Sequence, residues 1–417
     1  MKYIFPLLLL VFVAGCSSQV TPGKEQAGSE KGSVEQISDD VSQEPTADAG
    51  PPESKEEIPL PEEPAGKEID STEKTTQEVS PAEKGSAEAC DERAKKIQAL
   101  MDKKRTSPNA ILIIRDQLCG TKVHLSGDPK NATKDTLWRI GSVTKTYVAA
   151  AIMLFVRKKL LSLEDPVSKW FPEYEKLKGV TVRMLLDHTS GLYNYTTSSL
   201  FWADMSKSWT PKGLVDIGMK HKVYFAPGKG WQYSNTNYIL LGMLLEKLGK
   251  EKIAMIFREQ LLKPVQLKAT FLEGAEKVVG TLTKGFNKAG KESNGSYSMT
   301  GPWAAGAMVS TGADLCNWVA ELYGGNRLLN EEEKKLMIGG AVKVGNYTHY
   351  GLGTLVLGPE ITAGAGQGMG HNGGIGGFST QAYWFPKQKT AICSVVNQDG
   401  ASANDLTLIA LQVLFGR

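Results

Sequence analysis

The sequence predicts an α+β fold: one antiparallel sheet built from both chain ends, flanked by helices, with a helical subdomain inserted between its halves. Three observations predict it. Strand-like apolar runs lie near residues 110–125 and return at residues 378–396, with mostly helical patterns between them. The runs are short and bounded by turn residues, Gly120 in one turn and Pro386-Lys387-Gln388-Lys389 in another. The 44 glycines are too many for an all-helical bundle.

The elements follow in order. Asp91 to Lys104 reads as a helix, and Ala110 to Gln117 and Thr121 to Leu125 read as strands. A third apolar run, Thr136 to Ile140, leads into a long helical pattern from Ser142 to Leu160, with Val148, Ile152 and Phe155 as core positions. Thr236 to Leu248 is a second strong helix, stopped at Gly249. Thr311 followed three residues later by Asp314 looks like a capping box for a helix to about Tyr323, before Gly324-Gly325. Phe378 to Phe385 and Thr390 to Val396 form the expected hairpin, and Asn404 to Phe415 is apolar at helical spacing.

The first 89 residues read differently. Residues 1–15 have a basic start at Lys2 and a short apolar core from Tyr3 to Val13, the pattern of a signal peptide. Val13-Ala14-Gly15-Cys16 resembles the lipobox of bacterial lipoproteins, which implies lipidation at Cys16 (palmitate among the acyl groups) and a membrane anchor. Residues 16–89 then read as an acidic, disordered tether: from Ser17 to Ala89 there are 6 lysines, no arginine and 18 acidic residues, and no aromatic residue. As a coil, such a tether would span on the order of 50 Å. From Cys90 onward the net charge is +14, which suits an anionic wall polymer. No stretch reaches the ~20 apolar residues of a spanning helix, which excludes a transporter or channel. No basic run interleaved with aromatics points to nucleic acid. No CxxC or HExxH spacing occurs, so neither a metal nor a cofactor is expected. Of the remaining cysteines, Cys90 and Cys119 sit at element ends that meet if the helix runs back along the strand; they are the expected pair among Cys90, Cys119, Cys316 and Cys393, with buried free thiols as the alternative.

The chemistry begins at Ser142-Val143-Thr144-Lys145. Residues three apart share a helix face, so a serine hydroxyl and a lysine amine come within reach of each other. Serine needs an adjacent base to act as a nucleophile. Lysine can be that base only when neutral, against a cost of about 4.6 kcal/mol for an isolated amine at pH 7. Ser71 to Lys74 repeats the spacing inside the acidic segment, so the pattern alone is weak. Its place at a strand-to-helix junction after Gly141 gives the Ser142 copy its weight. Tyr233-Ser234-Asn235 precedes the second strong helix, where Asn235 could serve as a cap or as a substrate ligand. His371-Asn372-Gly373 lies within the glycine-rich run Gly366 to Gly377, with His349-Tyr350-Gly351 as a decoy of the same form.

In that order, these three motifs resemble the active-site motifs of penicillin-recognising serine hydrolases, above all the D-alanyl-D-alanine carboxypeptidase and class C β-lactamase family. Leu185 to Leu192, Phe225 to Gly228 and Trp303-Ala304-Ala305-Gly306 are similar to further stretches of that family. The resemblance covers residues 90–417 and implies a β-lactamase/transpeptidase-like fold. It implies Ser142 as the acylated nucleophile, Lys145 as base and Tyr233 as proton shuttle. Asn235, Trp303, His371, Asn372 and Gly374 would contact substrate, with the N–H groups of Ser142 and Gly374 as oxyanion hole. His188 and Ser190 fall in what that family uses as a structural turn.

Two departures bear on substrate. Histidine in place of lysine in the third motif argues against an efficient β-lactamase. Asn372, Gly374 and Leu355 stand where carboxypeptidases of that family use hydroxyls and an arginine to hold a carboxylate. The expected function is a D-Ala-D-Ala carboxypeptidase-like serine hydrolase acting on peptidoglycan peptides at the cell envelope. The alternatives are an esterase, D-aminopeptidase or weak β-lactamase, or a non-catalytic penicillin-binding sensor.

Overall fold

The computed structural model describes residues 81–416. The expected signal peptide, Cys16 and most of the acidic segment lie outside the described residues. The first helix runs Pro81–Lys104. It begins before the expected Asp91, and Ala87 and Glu88 in that added stretch are good helix formers. A Cys90–Cys119 disulfide joins this helix to the turn between the first two strands, while Cys316 and Cys393 are free and buried.

The strands are β1 (Asn109–Asp116), β2 (Gly120–Gly127), β3 (Trp138–Arg139), β4 (Thr270–Leu272), β5 (Met308–Ser310), β6 (Val342–Gly345), β7 (Thr348–Tyr350), β8 (Leu355–Leu357), β9 (Gly368–Ile375), β10 (Phe378–Phe385) and β11 (Thr390–Val396). Eight of them form one sheet in the order β2-β1-β11-β10-β9-β8-β7-β6, and β3-β5-β4 form a second. Pairing is antiparallel throughout the large sheet, with Ile113 opposite Cys393 on β1 and β11, and Ala382 opposite His371 on β10 and β9. The α+β architecture expected from the sequence is the one observed.

β1 reads as a continuous apolar run because both of its faces are covered. Ile111 and Ile113 enter the larger core, and Ala110, Leu112 and Ile114 enter the smaller one. That alternation is the strand period of two. Helices Pro81–Lys104 and Ala403–Phe415 cover the smaller-core face, and helix Gly312–Gly324 packs on the other. Thr311 caps the last of these by accepting from Asp314 N at 3.2 Å. The reciprocal half of the expected capping box is not made: the Asp314 carboxylate accepts instead from Ala269 N at 2.7 Å and Thr270 Oγ1 at 3.2 Å.

The helix expected over Ser142–Leu160 is two elements, a 3₁₀ turn Gly141–Val143 and an α-helix Thr144–Arg157. It stops early because Lys159 adopts φ +57°. There, Lys159 N donates to Val156 O and Leu160 N to Phe155 O, a Schellman ending. Thr144 to Phe155 are all buried. A helix buried on every side belongs to the centre of the molecule. The Tyr147 ring stacks on Trp318 at 3.8 Å, and Trp318 Nε1 donates to Thr146 Oγ1 at 2.7 Å.

Candidate active site

Ser142 is held by its backbone. Arg139 at the end of β3 makes a bidentate pair with Glu273, with Nε and Nη2 each 2.8 Å from a carboxylate oxygen. Ile140 N then donates to Met308 O at 3.1 Å, and Gly141 turns the chain with φ +52°. A side chain at Gly141 would be strained, and its Cβ would stand 2.8 Å from Gly374 N. Thr144 Oγ1 donates back to Gly141 O at 2.7 Å and accepts from Met308 N at 3.0 Å. The serine thus sits on a turn locked at both ends.

Lys145, one turn on, is fully buried. Its Nζ lies 3.1 Å from Ser142 Oγ, 2.9 Å from Asn235 Oδ1 and 2.6 Å from Ala305 O. A neutral amine has two N–H groups and one lone pair. In that form the two carbonyl oxygens can accept the two N–H groups while the lone pair faces the serine hydroxyl. The rings of Tyr233 and Tyr238 flank the amine, with centroids 4.8 Å and 5.2 Å from Nζ.

Asn235 opens the helix Asn235–Gly249, and Ser234 is its N-cap without a side-chain cap bond. The side chain of Asn235 is therefore spent on the site. Its Oδ1 takes Lys145 and its Nδ2 donates to Thr196 Oγ1 at 3.1 Å. Asn194 Oδ1 accepts from Asn235 N at 3.0 Å and from Thr196 Oγ1 at 3.0 Å. Neither Asn194 nor Thr196 was singled out in the sequence, and Ala305 appeared only within the Trp303-Ala304-Ala305-Gly306 stretch. Asn194 and Thr196 are common residue types at a short 3₁₀ turn, and Ala305 acts through its backbone carbonyl.

β9 forms the facing wall. A Cβ on Gly373 would stand 2.0 Å from Ile140 O and 3.1 Å from Ser142 N. Only glycine lets β9 approach the nucleophile turn this closely. Gly374 is exposed and Asn372 half-buried. His371 is fully buried: its Nε2 lies 2.9 Å from Tyr350 Oη, and its Nδ1 bonds the carbonyl of Asn372. Burial, and then the nearby Lys145, lower its pKa to about 3. His188 is also fully buried and its pKa is held well below the usual range, first by burial, then by Lys145 and His371. The Trp303 ring is directed into the core, where a Cβ on Gly242 would meet it at 2.8 Å. Among the described residues no cluster of acidic, histidine or cysteine side chains is arranged to hold a metal. The structure thus brings Ser142, Lys145, Asn235 and the ring of Tyr233 together, with Gly374 opposite. It places His371 behind that surface and the Trp303 ring beside Gly242.

A family model described as beta-lactamase matches residues 94–415. The chain belongs to the beta-lactamase family. Penicillin-binding protein 4* of Bacillus subtilis is 26% identical over 302 residues, 68% of this chain and 66% of that protein. Protein flp of Staphylococcus aureus is 30% identical over 144 residues, 33% of this chain and 28% of that protein. The chain therefore matches less than two thirds of the length of these relatives. Among solved structures, a D-stereospecific amidohydrolase from Streptomyces sp. is 28% identical with a TM-score of 0.68, covering 77% of this chain and 97% of that one. D-amino acid amidase from Ochrobactrum anthropi SV3, complexed with L-phenylalanine, is 27% identical with a TM-score of 0.69, covering 78% and 97%. The beta-lactamase-family fold of this chain is thus matched over nearly the full length of both enzymes.

Proposed function

We propose that this beta-lactamase-family chain is an acyl-serine amidohydrolase for D-amino acid substrates, cleaving amide or peptide bonds that follow a D-residue. The reading is carried by Lys145 Nζ, buried 3.1 Å from Ser142 Oγ with carbonyl oxygens accepting its N–H groups. Ser142 Oγ attacks the substrate carbonyl carbon and its proton passes to Nζ. The N–H groups of Ser142 and Gly374 stabilise the oxyanion. The C–N bond breaks as Tyr233 delivers its proton to the leaving amine and takes the serine proton back from Lys145 Nζ, and water then hydrolyses the acyl-serine. Each oxyanion donor contributes about 2.7–4 kcal/mol in comparable sites. Asn235 and Asn372 contact the acyl-side amide.

D-Ala-D-Ala carboxypeptidase action on peptidoglycan is the narrower form of this proposal, placed at a bacterial envelope by a lipid on Cys16. The structural relatives include a D-amino acid amidase and a D-stereospecific amidohydrolase. Around the third motif, Asn372, Gly374 and Leu355 are uncharged and His371 is buried. That observation favours substrates whose leaving group carries no carboxylate.

The test compares a D-Ala-D-Ala peptide with its C-terminal amide, D-phenylalanine amide and a short-chain ester, with mass spectrometry for an acyl adduct. We expect an adduct on Ser142 that is lost in Ser142→Ala, and faster turnover of the amidated peptide than of the free acid. Faster turnover of the free acid restores the carboxypeptidase reading. Absence of any adduct and any turnover leaves a non-catalytic binding protein.

A further inference from the structure

Behind the cleft, side chains from three parts of the chain form a hydrogen-bonded line. Ser234 N donates to His188 Nδ1 at 3.2 Å, and the Asn237 side-chain nitrogen lies 3.3 Å from the same atom. His188 Nε2 is 3.2 Å from Tyr350 Oη, which is 2.9 Å from His371 Nε2. His371 Nδ1 faces the carbonyl of Asn372. His188, Tyr350 and His371 are all fully buried. The line joins the Tyr233-Ser234-Asn235 turn to the strand that carries Asn372 and Gly374.

The two ends fix its direction. A backbone N–H at Ser234 can only donate, so His188 Nδ1 accepts and its proton sits on Nε2. A carbonyl at Asn372 can only accept, so His371 holds its proton on Nδ1 and Nε2 accepts. The arrangement that satisfies every link has both imidazoles neutral, with Tyr350 accepting from His188 and donating to His371; Tyr350 Oη also has a hydrogen-bonding contact with Tyr238. A second proton on His188 would set N–H against the Ser234 N–H, which can only donate. The titratable groups around the line are Lys145, Tyr233, Tyr238, Asp187 and Tyr323. Burial keeps the Tyr350 and Tyr238 phenols protonated. Tyr238 gives its own proton to Leu186 O at 2.7 Å.

His188 is also strained. It holds φ +65°, a conformation that non-glycine residues adopt only uncommonly. Its ring is packed against Tyr233 at 4.2 Å, Tyr350 at 4.8 Å and Tyr238 at 5.3 Å between centroids. Two of those rings also face Lys145. Strain kept at a buried position needs surroundings that enforce it, and here they are the groups that flank the base.

We propose that His188 and Tyr350 are positioning residues that act through this one-way, uncharged line. They hold the Tyr233 ring and the β9 wall in register about Ser142, and they keep an imidazolium from forming beside Lys145. The proposal rests on the acyl-serine reading for its consequence in catalysis, but the line itself is independent of that reading.

The first arm of the test needs no substrate. Whole protein labelled with ¹⁵N-histidine is read by two-bond ¹⁵N–¹H correlation, with His188→Asn and His371→Asn used for assignment. We expect His188 as the Nε2–H tautomer and His371 as the Nδ1–H tautomer, both unchanged from about pH 8 to about pH 5. The opposite tautomer at either ring, or titration of either ring within that range, overturns the proposal. The second arm is Tyr350→Phe, which keeps the ring and deletes the middle link. We expect a folded protein whose kcat falls about tenfold or more with little change in KM, and whose acidic limb moves to higher pH as His371 loses the donor that favours its neutral form. Wild-type kcat and pH profile in folded Tyr350→Phe overturn the proposal. Should that variant not fold, His188→Asn takes its place. It tolerates positive φ and retains an acceptor for Ser234 N–H, and the same fall and shift are expected. If the unaltered protein turns over nothing, the hydrolase reading fails while the tautomer pattern still decides the line.

Discussion

The two walls of the cleft are built on opposite plans. The helical wall supplies side chains: Lys145 Nζ reaches Ser142 Oγ, Asn235 Oδ1 accepts from that amine, and the Tyr233 ring lies beside it. The wall made by β9 supplies backbone, and its one imidazole, His371, turns away into the protein. On the first wall the important residues are those with the right functional group. On the second, Asn372 apart, they are those with no side chain at all. A substitution that trims a functional group should therefore cost most on the helical wall. On the β9 wall the costly change is the addition of a single methyl.

The largest effect is expected from Lys145→Met, which keeps the length and bulk of the side chain and removes the amine. Loss of a general base typically costs about 10²–10⁴ in rate. Single-turnover acylation should show that fall while thermal unfolding changes little. Near-normal acylation would move the base to another residue and end the account of the helical wall. Gly373→Ala comes next. The new Cβ would meet Ile140 O at 2.0 Å, so β9 must retreat and carry Gly374 N away from the oxyanion position. We expect kcat/KM to drop about 10²-fold, the scale of one lost oxyanion donor. An alanine accepted without loss would show that this wall's closeness is incidental.

The same contrast explains what the sequence made legible. Ser142, Lys145, Tyr233 and Asn235 were readable because their functional types recur at short, meaningful spacings beside strong helical patterns. The terminal strands were readable as well: β10 and β11 run over the residues their apolar runs marked. β6, β7 and β8 escaped notice because they hold only 4, 3 and 3 residues, too few to show alternation. Tyr350 was visible only as part of a second His-x-Gly. Its partners His188 and His371 are 162 and 21 residues away, and only the sheet register and the turn after Leu186 bring the three together. Arg139 and Glu273 meet across 134 residues for the same reason. Contacts between distant segments leave no periodic mark.

A smaller effect sharpens the comparison through pH. In the unfolded chain an imidazole takes up its proton near pH 6.5, whereas folded His371 does so near pH 3. Between those values the unfolded state binds more protons. The contribution of His371 to stability is therefore complete above about pH 6.5 and drains away as pH falls toward 3. His188, lowered by burial and by Lys145, acts in the same direction. Urea unfolding at about pH 7 and about pH 4.5 should differ by roughly 2 kcal/mol from this source, and His371→Asn should flatten the slope. An unchanged slope in that variant would mean that His371 titrates normally and is not sealed behind the β9 wall.

The smallest expected effect lies at the edge of the helical wall. Thr196 Oγ1 accepts from Asn235 Nδ2 at 3.1 Å and donates to Asn194 Oδ1 at 3.0 Å, so it fixes which way the Asn235 amide faces. Thr196→Val preserves shape and deletes both bonds. A net hydrogen bond is worth about 1 kcal/mol, so a five- to tenfold loss is the expected scale. Because Asn235 also accepts from Lys145 Nζ at 2.9 Å, the loosened amide could act on substrate binding or on the base. The two separate in the kinetics: a rise in KM alone assigns Asn235 to the substrate, and an equal fall in kcat assigns it to holding Lys145. If neither parameter moves, the amide is already fixed by Asn194 Oδ1 on its own backbone nitrogen, 3.0 Å away, and the helical wall reaches no further than Asn235 itself.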